Sequence, residues 1–208
     1  MTKNKQPIGE IEEITFNDYG GSAEIFWECT KDHDVSQNYA AFLAPFGDRV
    51  GLDILDFGCG PGRDIKYFKS LNHNPVGLDG TLEFCQNARD MTGCDVYHQS
   101  FNDLRLNENS FDGVFANASI FHVPSENLHK VLTDLHKAIR PGGVLFMSNP
   151  RGDKEGWSTP TRYGHFMQFD KSRDYLEAAG YEVLDHYFRP PGLPFEEQKW
   201  LAIVARTI

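Results

Sequence analysis

The sequence predicts an α/β fold with a doubly wound, mostly parallel sheet. Three observations carry this reading. The apolar run Ile54-Leu55-Asp56-Phe57 ends in a glycine turn, Gly58-Cys59-Gly60-Pro61-Gly62, and a helical pattern with Ile65, Phe68 and Leu71 follows. Strand, glycine turn and helix form the ligand corner of such a sheet. Short apolar runs then alternate with amphipathic stretches up to residue 148, the pattern of successive βα units. Two runs of alternating character, 182–188 and 199–205, close the chain.

The elements can be justified in order. Residues 1–16 are polar and read as loose at the very end. Residues 17–30 are rich in glycine and aromatics, including Tyr19, Phe26 and Trp27, and read as a lid or cap and not as a sheet strand. Ser36 is placed to cap a helix running to about residue 46, with Tyr39, Phe42 and Leu43 on one face. Strand one is expected at 53–57, strand two at 75–79, a helix at 81–91 and a short strand three at 95–98. Strand four is expected at 111–117, nearly all apolar apart from Asp112. Pro124 and Ser125 open a helix in which Leu128, Val131, Leu132, Leu135 and Ile139 repeat at three-and-four spacing. Arg140-Pro141-Gly142-Gly143 breaks it, and 144–148 is strand five. Residues 149–169 form a long connection, too aromatic to read as disorder and so read as functional. Asp170 is placed to cap a last helix that ends at Gly180.

Composition narrows the function. The 208-residue chain has a formal net charge of −10. Nucleic-acid binding needs basic clusters against phosphates, which this chain lacks. It has no basic amphipathic segment for an anionic membrane surface and no apolar run long enough to span a bilayer. Its start lacks the apolar core of a signal peptide. The four cysteines show no C-x-x-C spacing, so free thiols and a cytoplasmic location are expected. Eight histidines include no H-E-x-x-H or Cys/His cluster, so no metal site is expected. One domain is expected over 1–208, with 1–35 as a lid or cap segment and 149–169 as a substrate-side loop.

The glycine turn identifies the ligand class. A dinucleotide fingerprint, G-x-G-x-x-G, would need a third glycine where Arg63 stands, and no Gly-Lys-Ser/Thr follows to make a phosphate loop. Asp56-Phe-Gly58-Cys-Gly60-Pro-Gly62-Arg-Asp64 resembles instead the first motif, D-x-G-x-G-x-G, of the class I S-adenosylmethionine (SAM) methyltransferases. An acid here suits a ligand that carries a sulfonium and an ammonium. The resemblance implies a Rossmann-like sheet with an antiparallel C-terminal strand and SAM as cofactor. It assigns cofactor contacts to Asp56, Gly58, Gly60, Gly62, Gly80, Phe101, Asn117 and Ala118. Asp79, ending strand two, would accept hydrogen bonds from the ribose hydroxyls and could also cap the helix at 81–91. Ser100 stands where the family usually presents an acid to the adenine.

A finer resemblance lies in the C-terminal half. Phe115-Ala-Asn-Ala-Ser-Ile-Phe-His-Val-Pro-Ser125, Ser148-Asn-Pro-Arg-Gly152, Glu155-Gly-Trp157, Arg162-Tyr-Gly164 and His186-Tyr-Phe-Arg-Pro-Pro-Gly-Leu-Pro194 look like the methyltransferase domain of ovothiol-biosynthesis enzymes. That family methylates the Nπ nitrogen of 5-thiohistidine, which implies 5-thiohistidine or histidine as the substrate here. Another small metabolite as acceptor, or a SAM-binding protein without activity, are the alternatives. An imidazole needs its tautomer fixed by an acceptor on the far nitrogen. Asn149, Asn117 and the polar N-terminal segment are the candidates. His122 leaves the ligand edge of the sheet and reads either as structural or as catalytic. An amino-acid carboxylate needs a cation, for which Arg151, Arg162 and Arg189 lie in the right loops. Trp27, Phe121, Trp157 and Tyr163 are the candidate substrate walls.

Overall fold

The computed structural model describes residues 6–208. Seven strands form one sheet: β1 (Asp53–Phe57), β2 (Asn74–Asp79), β3 (Val96–His98), β4 (Phe111–Asn117), β5 (Ile139–Pro150), β8 (Tyr181–Arg189) and β9 (Trp200–Thr207). A separate two-stranded hairpin joins β6 (Glu155–Trp157) to β7 (Tyr163–His165). The order across the large sheet is β3-β2-β1-β4-β5-β9-β8, and only β9 runs against its neighbours. The order reverses between β1 and β4, so the C-terminal ends of these two strands open the crevice in which such sheets bind ligands.

Alternation along the strands sorts side chains to two faces. Leu55, Phe57, Val114, Ala116, Leu145 and Met147 meet Leu128, Val131, Leu132 and Leu135 of α6 (Ser125–Ala138). Ile54, Phe115, Val144 and Phe146 face the other way, against Tyr39 and Phe42 of α3 (Ser36–Leu43) and Phe68 of α4 (Arg63–Ser70). A third cluster locks α4 to α5 (Leu82–Thr92) through Ile65, Cys85 and Ala88. No helix among the described residues is long and apolar enough to cross a membrane.

Several expectations need correction. Of the residues expected to be loose, 1–5 lie outside the described ones, and the rest enter a helix, α1 (Ile8–Gly21). Its apolar positions are few; Ile11 and Thr15 are buried because the fold supplies partners, as the aromatic contact of Phe16 with Phe101 shows. Residues 17–30, expected as a lid or cap and not a strand, hold the end of α1 and α2 (Ala23–Thr30), joined by a turn at Ser22. Ser36 does not cap α3: the Asp34 carboxylate, two residues earlier, accepts from the Ser36 N–H at 2.9 Å. The helix gives way to a 3-10 turn at Ala44–Phe46, where Pro45 lacks the N–H that would continue it. Strand β5 starts five residues early, because Ile139 pairs with Phe111 and the Arg140–Gly143 segment is absorbed by a register shift. The connection 149–169 is not a plain loop, since it carries the β6–β7 hairpin. The last helix, α7 (Phe169–Ala178), follows Gln168, which leaves Asp170 in its first turn.

Candidate active site

A cavity of about 550 Å³ lies over the C-terminal ends of β1, β2 and β4. This size suits small ligands. Its floor is the glycine turn. The N–H groups of Gly58 and Cys59 both reach the Leu78 carbonyl, at 2.7 and 3.1 Å, which stitches β1 to β2. Gly58 has φ +78°, and a Cβ there would stand 2.2 Å from the Ser119 Cβ. Gly60 has φ +51°, and its imagined Cβ meets nothing closer than the Phe26 ring at 3.6 Å. Gly58 is thus bare because the protein crowds it, whereas Gly60 is bare on the cavity side. Gly62 opens α4 against Ala88, off the cavity wall. Gly80 faces Phe16 of α1.

Three carboxylates ring this floor. Asp79 lines the cavity, accepting from the Gly60 N–H at 2.9 Å and the Thr81 N–H at 2.8 Å. Its carboxyl is nonetheless pushed up, because burial outweighs those hydrogen bonds. It therefore secures the turn and also meets the cavity. Asp56 is buried beneath the turn, and its Oδ2 has no partner among the described residues. Burial, and then the charge of Asp64, push its carboxyl well up. Asp64 is held by Arg63 at 2.7 Å and by the Tyr39 hydroxyl at 2.6 Å. Asp64 and Asp79 reach the cavity wall beside the bare backbone of Gly60, an arrangement that suits a ligand carrying both positive charge and hydroxyls. The residues therefore fit SAM.

The N-terminal helices roof the cavity. Phe16, Tyr19, Phe26 and Trp27 line it from above, and Phe101 lines it from the end of β3. Ser100 does not line it. Its hydroxyl donates to the Glu12 carboxylate at 2.6 Å, and Asn102 Nδ2 donates to the same group at 2.7 Å. An acid thus does sit beside position 100, brought by α1, but off the cavity wall. Asp18 accepts from Thr161 at 2.7 Å and from Arg162 at 2.6 Å, tying α1 to the hairpin.

The end of β4 is strained. Ala118 adopts φ +64°, a left-handed conformation that a non-glycine residue rarely takes, and its N–H reaches the Ser148 carbonyl at 2.7 Å. Asn117 and Ala118 both line the cavity. The Asn117 amide is already engaged at both ends, accepting from Asn38 at 3.0 Å and donating to Asp64 at 3.3 Å. Asn149 is buried off the wall; its Oδ1 accepts from the Phe121 N–H at 3.2 Å, and its Nδ2 has no partner among the described residues.

Of the three loop arginines, only Arg189 lines the cavity. It donates to the Asp34 carbonyl at 2.8 Å and forms no ion pair among the described residues, and its Nε is buried without a partner there. Arg151 is turned away, stacked 3.7 Å over the Phe195 ring and bonded to the Gln198 carbonyl. Arg162 is spent on Asp18 and lies 4.4 Å over the Tyr19 ring. Trp27 and Phe121 stand on the wall. Trp157 is exposed, its Nε1–H donating to Gln6 at 3.2 Å. The Tyr163 hydroxyl donates to Glu155 at 3.0 Å. His122 lines the cavity, and burial pushes its imidazole down to about 4.

Sequence reasoning missed Tyr19 and Asp64 as site residues, and Glu12 as the partner that holds α1 over the site. Asp64 had a readable signal, an acid in the first turn of the helix behind the glycine turn. Tyr19 was read only as one of the aromatics of a lid or cap, and Glu12 had no signal, because helix α1 carries no pattern that points its faces.

Residues 55–147 match the model of a family described as "Methyltransferase domain". The malonyl-[acyl-carrier protein] O-methyltransferase of Pectobacterium atrosepticum is 31% identical over 104 residues, 50% of this chain and 40% of that protein. The sterol 24-C-methyltransferase ERG6 of Saccharomyces cerevisiae is 27% identical over 169 residues, 71% of this chain and 43% of that one. The chain thus spans about half the length of such relatives. Among solved structures, the 1,6-didemethyltoxoflavin-N1-methyltransferase of Burkholderia thailandensis, bound to S-adenosylhomocysteine, superposes with a TM-score of 0.82. It covers 100% of this chain and 93% of its own at 21% identity. The chain has the Rossmann-like fold of the class I SAM-dependent methyltransferases, and its cofactor is SAM.

Proposed function

We propose that the chain is a small-molecule N-methyltransferase acting on the Nπ of an imidazole amino acid, 5-thiohistidine or histidine. The relatives named above act on oxygen, carbon and nitrogen by name, so the choice of acceptor rests on the cavity and on the segments likened to ovothiol-type domains. One observation carries the proposal: Arg189 on the cavity wall, with no ion pair among the described residues and an unspent buried N–H. A guanidinium in that condition suits a carboxylate, which it can take in two parallel hydrogen bonds.

SAM, when bound, supplies a methyl group activated by its sulfonium. The remaining work is positioning and exclusion of water. Gly60 lets the backbone approach the cofactor, Gly58 lets the turn pack against Ser119, and Asp79 offers acceptors to the cofactor's hydroxyls. Asp56 and Asp64 balance its positive charge. Phe16 and Phe101 supply apolar surface for a flat ring. Trp27 and Phe121 flank the substrate, and Arg189 anchors its carboxylate. Residues 1–35 act as the cap of this one domain, and 149–169 as a buttress on the substrate side. Arg151, Arg162, Trp157 and Tyr163 support that buttress without touching the substrate.

The test is to incubate the protein and SAM separately with 5-thiohistidine, histidine, phenols, carboxylic acids and thiols, and to locate any methyl by NMR. Methylation at Nπ is expected. Methylation only of a non-imidazole acceptor would overturn the imidazole reading. Arg189→Ala should raise the KM for histidine about 10–100-fold, the range for losing a charged hydrogen-bonded partner. Imidazole itself, which has no carboxylate, should be turned over equally by both proteins.

A further inference from the structure

The roof and the sheet edge meet in a short hydrogen-bonded chain whose direction can be read. His122 Nδ1 lies 2.7 Å from the Tyr163 carbonyl oxygen. A carbonyl has no proton to give, so Nδ1 carries the hydrogen and donates. In the neutral ring Nε2 is then a bare lone pair. The Tyr19 hydroxyl lies 3.0 Å from Nε2, so it must donate there. Its single proton is spent on His122, and what it can still offer is a lone pair. Both Tyr19 and His122 line the cavity.

We propose that Tyr19, oriented by His122 and the Tyr163 carbonyl, is an obligate hydrogen-bond acceptor that selects substrates by a ring N–H. This rests on the imidazole reading above and adds the group that fixes the tautomer. An imidazole that donates its Nτ–H to Tyr19 has its Nπ lone pair free for the methyl. An imidazole in the other tautomer would set lone pair against lone pair.

The surroundings hold this arrangement. Tyr19 packs edge-on against Phe26 and His122, tilted against Phe84, and under the Arg162 guanidinium, which Asp18 pins. Burial depresses the His122 imidazole, and Arg162 adds to this, so the ring stays neutral through the physiological range. Burial likewise raises the Tyr19 phenol, with Arg162 opposing and Asp79 and Asp18 reinforcing, so the proton remains on the oxygen. Asn117 and Asn149 are poor rivals for the role, the first engaged at both ends and the second off the wall.

Two measurements on the full chain with S-adenosylhomocysteine bound test the proposal. The first is ¹⁵N NMR of the His122 ring at pH 7. A neutral ring protonated at Nδ1 is expected; a ring protonated at Nε2, or at both nitrogens, would make Tyr19 a donor and overturn the proposal whatever the substrate. The second is calorimetric binding of histidine and of Nτ-methylhistidine, which lacks the N–H. The protein should prefer histidine about tenfold, and Tyr19→Phe should erase that preference. This variant keeps the ring contacts, and an unchanged circular dichroism spectrum verifies its fold. A preference that survives Tyr19→Phe overturns the proposal. If neither amino acid binds and the His122 ring is as expected, the imidazole reading fails while the acceptor assignment stands for another N–H donor.

Discussion

Gly58 and Gly60 stand two residues apart in one turn and are bare for different reasons. Adding a methyl at Gly58 drives it into Ser119 and forces a side chain into a left-handed conformation. At Gly60 the conformational cost of about 1–2 kcal/mol remains, but the space is open. Gly58→Ala should therefore lower the melting temperature severely. Gly60→Val should stay folded with a modest loss and yet bind no SAM, because its side chain takes the space a ligand would use. Normal calorimetric SAM affinity in folded Gly60→Val would refute this. Both glycines were legible in the sequence as a motif, but their division of labour was not, since Ser119 approaches from 61 residues away. The same limit governs the arginines. Arg151, Arg162 and Arg189 looked equivalent in the chain, and only the fold shows that Phe195 and Asp18 have claimed the first two.

At the scale of elements, α1 is held by its contacts more than by its own sequence. Glu12 accepts from Ser100 and Asn102, which fastens the helix to the end of β3. Removing a charged acceptor of this kind costs about 1–3 kcal/mol. Glu12→Ala should speed hydrogen exchange of the α1 amides at least several-fold, leave β1 and β4 unchanged and weaken SAM binding. Exchange in α1 indistinguishable from the parent protein would sink this account. The buried strands were legible because they are nearly continuous apolar runs, and β1 and β4 were read to the residue. Helix α1 was not, because a polar helix roofing a ligand site has few apolar positions to show. The β6–β7 hairpin was hidden for a related reason: its three-residue strands sit in a polar, glycine-rich connection and, unlike β3, do not fall between helices in a βα alternation that would point to them.

At the scale of the whole molecule, with its formal charge of −10, Asp56 lies buried beneath the glycine turn within electrostatic reach of Asp64 and Asp79, which line the cavity. Asp56 and Asp79 are both raised, chiefly by burial. A carboxyl raised in the folded state binds a proton that the unfolded chain has lost, so its contribution to stability falls as pH rises above its ordinary value near 4. The buried histidines act in the opposite sense. His122, His73 and His165 are all depressed by burial, so their contribution is present above about 6.5 and is lost as pH falls. A cationic ligand separates the two limbs. It needs the carboxylates ionised, so binding becomes tighter as pH rises, while the histidines shift only the baseline. The thermal gain from saturating SAM should therefore be larger at pH 8 than at pH 5.5, by about 3–5 °C for each tenfold gain in affinity. Asp56→Asn should raise the ligand-free melting temperature at pH 8, because a neutral amide escapes the cost of burying an acid beside Asp64. The same substitution should flatten the pH dependence of the gain. Thermal scans of both proteins at the two pH values decide the matter: equal gains at pH 5.5 and 8 in the parent protein would show that the carboxylates beneath the glycine turn do not answer the charge of the cofactor.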